Sequence, residues 1–208
     1  SSDVCSSDLV GAPGDVIAIA FQTNWNSVAK ECTEAYGPEG VGYVQVSPPM
    51  ESIQGTEWWT SYQPVSYKLD SKLGTEAEFK TMIATCNAAG VEIIADSVIN
   101  HTTGADQGEG TGVAGSKYDG EGNFPAIPYT KENFHDCTKN IGDYTNADEV
   151  QNCRLTSLQD LDTSQEYVQD KLADYMNRLL DLGVYGFRVD AVKQDRKSTR
   201  LNSSHSSK

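Results

Sequence analysis

The sequence contains no stretch of about 18 apolar residues, the least a helix needs to cross a bilayer, so nothing in it reads as a membrane span. It is poor in basic residues: 16 Lys and Arg face 30 Asp and Glu, for a formal charge of -14. A surface this acidic repels phosphate, which excludes a nucleic-acid partner and leaves cations and neutral polar molecules as suitable ligands. Histidine is scarce, with three in 208 residues and no HxxxH pair. The five cysteines form no CxxC pair, so the spacings of a zinc site are missing. The first residues have neither the basic nor the apolar region of a secretory leader. What remains is a chain long enough to bury a sizeable core, as one large domain or two small ones. Its cysteines, Cys5, Cys32, Cys86, Cys137 and Cys153, read as structural disulfide partners, with one left over by the odd count.

Residues 1–9 (SSDVCSSDL) and 195–208 (DRKSTRLNSSHSSK) lack apolar periodicity and, taken alone, read as disordered tails. The genetic code offers a sharper reading. Ser2 to Asp8 can be encoded as TCA GAC GTG TGC TCT TCC GAT. The reverse complement, with one leading G, is GAT CGG AAG AGC ACA CGT CTG, which translates as residues 195–201. One synthetic oligonucleotide ligated to both ends of a DNA fragment produces that relation, and the string resembles a sequencing adapter. The expectation is that both ends are non-native and are set aside in fold reasoning. Cys5 leaves with them, so four cysteines remain, an even number. The insert is one charge more acidic than the whole, because the tails carry Asp3, Asp8 and Asp195 against Arg196, Lys197, Arg200 and Lys208.

Four short runs rich in Val, Ile, Tyr and Phe, at 16–21, 41–46, 91–96 and 184–190, have the length of strands and a density that suits burial on both faces. Helical patterns separate them. Thr75 with Glu78 forms a capping box that opens a helix over 75–89, with Phe79, Met82, Ile83 and Cys86 on one face and Gly90 at its end. Ser164 opens another over 164–182, with Val168, Leu172, Tyr175, Met176, Leu179 and Leu180 on the apolar face and Gly183 as the stop. A weaker pattern covers 27–36. The alternation predicts parallel strands joined by right-handed crossovers, an α/β class, and four such strands are half of a (β/α)8 barrel. The segment 101–160 is Gly-rich, irregular and too long for an ordinary loop. It reads as a small excursion domain inserted after the third strand, pinned by Cys137 with Cys153, between barrel pieces at 10–100 and 161–194.

A parallel barrel builds its site where the strands end. After the second strand come Ser47, Pro48 and the WWxxY cluster of Trp58, Trp59 and Tyr62; after the third, Asp96, Asn100 and His101; on the fourth, Arg188 and Asp190. The aromatics are either a hydrophobic plug or platforms for the apolar faces of sugar rings. Alternation puts Arg188 and Asp190 on one face, as a plain ion pair or as an arginine that keeps a nucleophilic carboxylate ionised. Asn100, Asp160 and backbone carbonyls suit calcium, a hard cation that prefers oxygen.

The segments DSVINH (96–101) and GFRVDAVK (186–193) resemble the first two signatures of the α-amylase family of glycoside hydrolases. With VQVSPP, WWTSYQPVSYKL and the long insertion, the resemblance covers nearly all of 10–193 and is nearest the animal-type members that also occur in bacteria. It implies a secreted, calcium-dependent, retaining endo-hydrolase of α-1,4-glucans such as starch and glycogen, monomeric at full length. Asp190 is then the nucleophile and Arg188 its partner and a chloride ligand. Asp96, His101, Trp58, Trp59, Tyr62, Tyr144 and Lys193 serve the glucose subsites. Calcium falls to the side chains of Asn100 and Asp160 and the carbonyls of Gln151 and Gln194. The resemblance also pairs Cys32 with Cys86 and Cys137 with Cys153, while a further disulfide of the animal enzymes has no cysteines here.

Two departures follow. The family has histidine where this chain has Gln194, and a histidine codon cut after CA and joined to an adapter beginning with A becomes the glutamine codon CAA. Retaining glycosidases also need two carboxylates about 5–5.5 Å apart, and the strands that carry the family's acid and its further aspartate are not in this chain. The expectation is therefore a fragment that does not turn over starch and that aggregates through uncovered edges and faces. Two rivals stand beside it: a related α-glucan glucosidase or transferase on the same scaffold, and a noncatalytic carbohydrate-binding protein.

Overall fold

In the computed structural model, which describes residues 14–192, the chain runs β1 (Ile17–Ala20), α1 (Trp25–Glu31), β2 (Tyr43–Val46), α2 (Glu76–Ala88) and β3 (Glu92–Ser97). It continues through β4 (His101–Gly104), β5 (Gly110–Thr111), β6 (Lys117–Tyr118), α3 (Ala147–Asn152), β7 (Leu158–Asp160), α4 (Glu166–Asp181) and β8 (Gly186–Val189). The tails, Lys193 and Gln194 lie outside the described residues. The four strands expected from the apolar runs form one sheet in the order β1-β2-β3-β8, every pair parallel.

Strand alternation sends Val44, Val46, Ile93 and Ala95 to the helical side, where they are buried with Trp25, Val28, Phe79, Met82, Tyr175 and Leu179. The other face differs from the expectation of burial on both sides: Ile17 and Ile19 are 53% and 67% exposed. In a closed barrel that face is covered by strands across the axis, and only four parallel strands occur among the described residues.

The helix signals hold in part. At α2 the capping box forms, the Glu78 amide donating to Thr75 Oγ1 at 3.2 Å and the Thr75 amide to Glu78 Oε2 at 2.8 Å. Helix α1 opens at Asn24, whose Oδ1 accepts from the Ser27 amide at 2.8 Å, and it gives way to a wider π turn over Cys32–Tyr36. Helix α4 is capped by Gln165 without a side-chain bond, one residue after the expected Ser164, whose hydroxyl donates to Asp162 Oδ1 at 2.5 Å. Leu180 is 45% exposed, since one residue turns the helix by about 100° and carries it off the face of Leu172 and Leu179.

The insertion is more regular than its composition suggests. Strand β4 pairs antiparallel with β7, and β5 with β6. Ile141, Val150 and Cys153 form a small core of their own. Phe124, Ile127, Tyr129 and Leu161 pack with Val168 and Leu172 of α4, which ties the segment 101–160 to that helix. The two disulfides are Cys32–Cys86, joining the end of α1 to α2, and Cys137–Cys153 within the insertion.

Candidate active site

Register puts Asp96 on β3 directly beside Arg188 on β8, both on the face away from the helices. One guanidinium nitrogen, Arg188 Nη1, donates to Asp96 Oδ1 at 2.8 Å, to Asp96 Oδ2 at 3.0 Å and to Asp190 Oδ1 at 2.7 Å. Asp190 follows the last residue of β8 and its amide donates to the Ser97 carbonyl at 2.9 Å, which anchors it to β3. Asp96 is almost wholly buried. Burial pushes its carboxyl above the ordinary range, against the pull of Arg188 and of the Tyr62 hydroxyl, which donates to Asp96 Oδ2 at 2.7 Å.

His101, also buried, donates from Nε2 to the Tyr62 carbonyl at 3.0 Å, which sets its tautomer. Burial holds its imidazole below the ordinary value. Tyr62 thus ties β3 and the start of β4 to the short 3-10 turn over Trp58–Tyr62. On that turn Trp58 and Trp59 are 55% and 40% exposed, so they are not a buried plug. Phe21, after β1, meets Trp58 with ring centroids 5.8 Å apart.

An open cleft of about 700 Å³, a volume within the usual range for small-molecule sites, lies against this cluster, and Asp96, 1% exposed, is not among its lining residues. Arg188, Asp190, His101, Trp58, Trp59 and Tyr62 lie on it. Tyr144, 48% exposed, is not among its lining residues. Sequence reasoning missed Phe21, Gln63 and the far wall, made by Asp106 and Gln107 after β4 and by the residues from Leu155 to Leu158. Phe21 was within reach of the strand-end argument, since it directly follows β1.

The oxygen donors expected to hold calcium are partly assembled. Asn100 and Asp160 are buried and adjacent, Asn100 Nδ2 donating to Asp160 Oδ1 at 3.0 Å. His135, which the sequence did not single out, holds the other oxygen, Nδ1 to Asp160 Oδ2 at 2.6 Å. Burial pushes the Asp160 carboxyl up, while His135 and Asn100 act in the opposite direction. Gln151, whose carbonyl was expected to join them, stands on α3 within the insertion. Among the described residues there is no group of three or more His, Cys, Asp or Glu placed to hold a metal ion.

A parallel sheet with helices on one face, and carboxylates and an arginine at its strand ends beside an aromatic cleft, has the layout that barrel-type glycosidases use. The family model for the α-amylase catalytic domain matches residues 40–207, and the chain belongs to that family. The matched range extends into the segment that the codon argument sets aside. An α-amylase of Streptomyces violaceus is 52% identical over 182 residues, covering 86% of this chain and 31% of the relative. An α-amylase of Pecten maximus is 46% identical, covering 88% and 38%. The crystal structure of a mutant α-amylase I from Eisenia fetida with maltohexaose superposes with a TM-score of 0.85 at 43% identity, covering 89% of this chain and 39% of that one. The chain thus spans about a third of these relatives.

Proposed function

We propose that this chain is the N-terminal part of the catalytic barrel of a secreted α-amylase, an endo-hydrolase that cleaves α-1,4-glucosidic bonds of starch and glycogen with retention of configuration. The observation that carries this reading is the Asp96–Arg188–Asp190 cluster opening on a cleft edged by exposed Trp58 and Trp59. Asp190 is the nucleophile, Arg188 positions it, Asp96 supports the site from the end of β3, His101 holds the sugar at the point of cleavage, and the tryptophans stack on neighbouring rings. A second carboxylate must act as acid and base, so the chain alone binds glucan without turning it over. Residues 1–9 and 195–208 are non-native in this account.

Calcium fits the donors present: Asn100 and Asp160 are hard oxygen ligands, buried and in contact. The carbonyls of Gln151 and Gln194 complete the set proposed here, and Arg188 serves chloride. Bound there, calcium supplies positive charge beside a buried carboxylate and ties the insertion to the barrel. Export agrees with the two disulfides, which persist in oxidising compartments.

Titrating maltohexaose while following tryptophan fluorescence tests the reading. Binding to the wild-type chain is expected, with each of Trp58→Ala and Trp59→Ala about tenfold weaker, or about 1.4 kcal/mol. Absence of binding by the wild type contradicts it.

A further inference from the structure

Two cavities flank the segment 154–159. Leu155 and Leu158 line the cleft described above, whereas Arg154 and Gln159 line a second cavity of about 390 Å³ that shares no residue with the first. We propose that this second cavity is a separate binding site for a neutral sugar unit, a glucosyl residue of the same α-glucan that the cleft takes. The identity of the sugar rests on the proposed function; the polyhydroxyl chemistry rests on the cavity.

Gln159 is the first argument. It is 1% exposed, and its Nε2 donates to the Thr103 carbonyl at 3.1 Å, Thr103 Oγ1 at 3.2 Å and the Asp119 carbonyl at 2.9 Å. Those three acceptors fix the amide orientation and leave Oε1 as a buried acceptor with no hydrogen-bond partner in the protein. A buried acceptor is costly until a donor reaches it, and a sugar hydroxyl is a donor.

Charge is the second. Lys131 and Arg154 are balanced by Glu121 and Asp136 around the same cavity, and His135, also on its lining, is engaged by Asp160 and Asp162, so the lining favours neither an anion nor a cation. It offers donors and acceptors together, the pairing that suits hydroxyls, which do both. Phe134 adds an aromatic ring, of the kind that stacks on the apolar face of a hexose.

The third is rigidity, which reduces the entropy lost on binding. Cys137, between the lining residues Asp136 and Thr138, is bonded to Cys153, which precedes Arg154. Opposite, Asp119 Oδ1 accepts from the amides of Glu121 at 2.8 Å and Asn123 at 3.0 Å, fixing the turn over 120–122. Gly122, at φ +93°, lies so near Lys131 that an added Cβ would stand 2.8 Å from its Cα.

The test is a proton–nitrogen NMR titration of the chain with maltotriose. The expected result is two sets of shifts: the indoles of Trp58 and Trp59, and the Gln159 side-chain amide with the amides of Gly120 and Gly122. The second set persists in a Trp58→Ala/Trp59→Ala double variant and weakens at least fivefold in Arg154→Ala and in Phe134→Leu, while the indole shifts of those two variants stay unchanged. Shifts confined to the cleft, or a second set that vanishes with the tryptophans or ignores both cavity variants, overturn the second site alone. No shifts anywhere overturn the cleft reading as well.

Discussion

Asp106 and Ser157 join two loops of the cleft's far wall: the Ser157 hydroxyl donates to Asp106 Oδ1 at 2.5 Å. Thr156 and Ser157 both hold left-handed backbone, at φ 46° and 68°, a conformation that non-glycine residues keep only when their surroundings enforce it. The Ser157 amide donates to Asn140 Oδ1 at 2.8 Å, and its carbonyl accepts from the Ala105 amide at 2.9 Å. Asp106→Ala is expected to cost about 1 kcal/mol and to speed hydrogen exchange at the Ser157 and Ala105 amides, whereas Asp106→Asn, which keeps an acceptor, restores most of the protection. Unchanged exchange in the alanine variant would show that the backbone bonds alone hold the turn.

Glu51 is fully buried and takes the amides of Ala114 and Ser116, each at 2.9 Å, and the hydroxyl of Ser66. Gly112 passes so close that an added Cβ would lie 2.6 Å from Glu51 Oε1. Burial raises this carboxyl, but the donors from Ser66, Ser116 and Ala114 outweigh it, so its pKa is lowered from 4.5. A lowered folded value means that the stabilisation is complete above the unfolded pKa and is lost as pH falls through the folded one. Glu51→Gln is expected to destabilise by about 3 kcal/mol at neutral pH and to flatten the acid limb of a urea-midpoint profile. An equally steep limb in the variant would assign acid lability to other carboxylates.

The disulfides close loops of different length, with sequence separations of 54 for Cys32–Cys86 and 16 for Cys137–Cys153. Chain entropy predicts losses of about 4 and about 3 kcal/mol when the paired serines replace each. Hydrogen exchange separates them further: the first variant loosens α1 against α2, and the second loosens the 137–153 loop and the Ser157 turn beyond it. The reverse pattern would mean that each bridge acts far from where it sits.

Calcium at a hundred times its Kd is expected to stabilise the chain by about 2.7 kcal/mol. Asn100→Ala and Asp160→Asn are expected to remove the response of the melting temperature to added calcium and to chelator, whatever they do to the baseline. A full response in both variants would move the ion elsewhere.

The parallel sheet was legible because each strand is a compact apolar run and each crossover helix carries a stripe. The capping box at Thr75 and the strand-end residues Asp96, Arg188 and Asp190 were legible for the same reason, since local pattern determines where they stand. The far wall of the cleft was not. It comes from an insertion whose strands are as short as LQD over 158–160, too short to show alternation, and whose loops meet through Asp106 and Ser157, 51 residues apart. His135 was missed for a similar reason: a single histidine carries no spacing, and its partner Asp160 is 25 residues away. The start of α4 falls one residue after the expected Ser164, a shift within the ordinary fraying of helix ends.

As proposed above, Asp190 serves as the nucleophile of an α-1,4-glucan hydrolase, a reaction that needs a second carboxylate as acid and base. The direct measurement is reducing-sugar release from soluble starch by three proteins: this chain, the chain continued through its source gene, and the continued protein bearing Asp190→Asn. The account predicts no release by the first, rapid release by the second and a loss of at least about a thousandfold in the third, roughly 4 kcal/mol of transition-state stabilisation. Starch hydrolysis by the homogeneous 208-residue chain, or undiminished hydrolysis by the continued protein with Asp190→Asn, would contradict it.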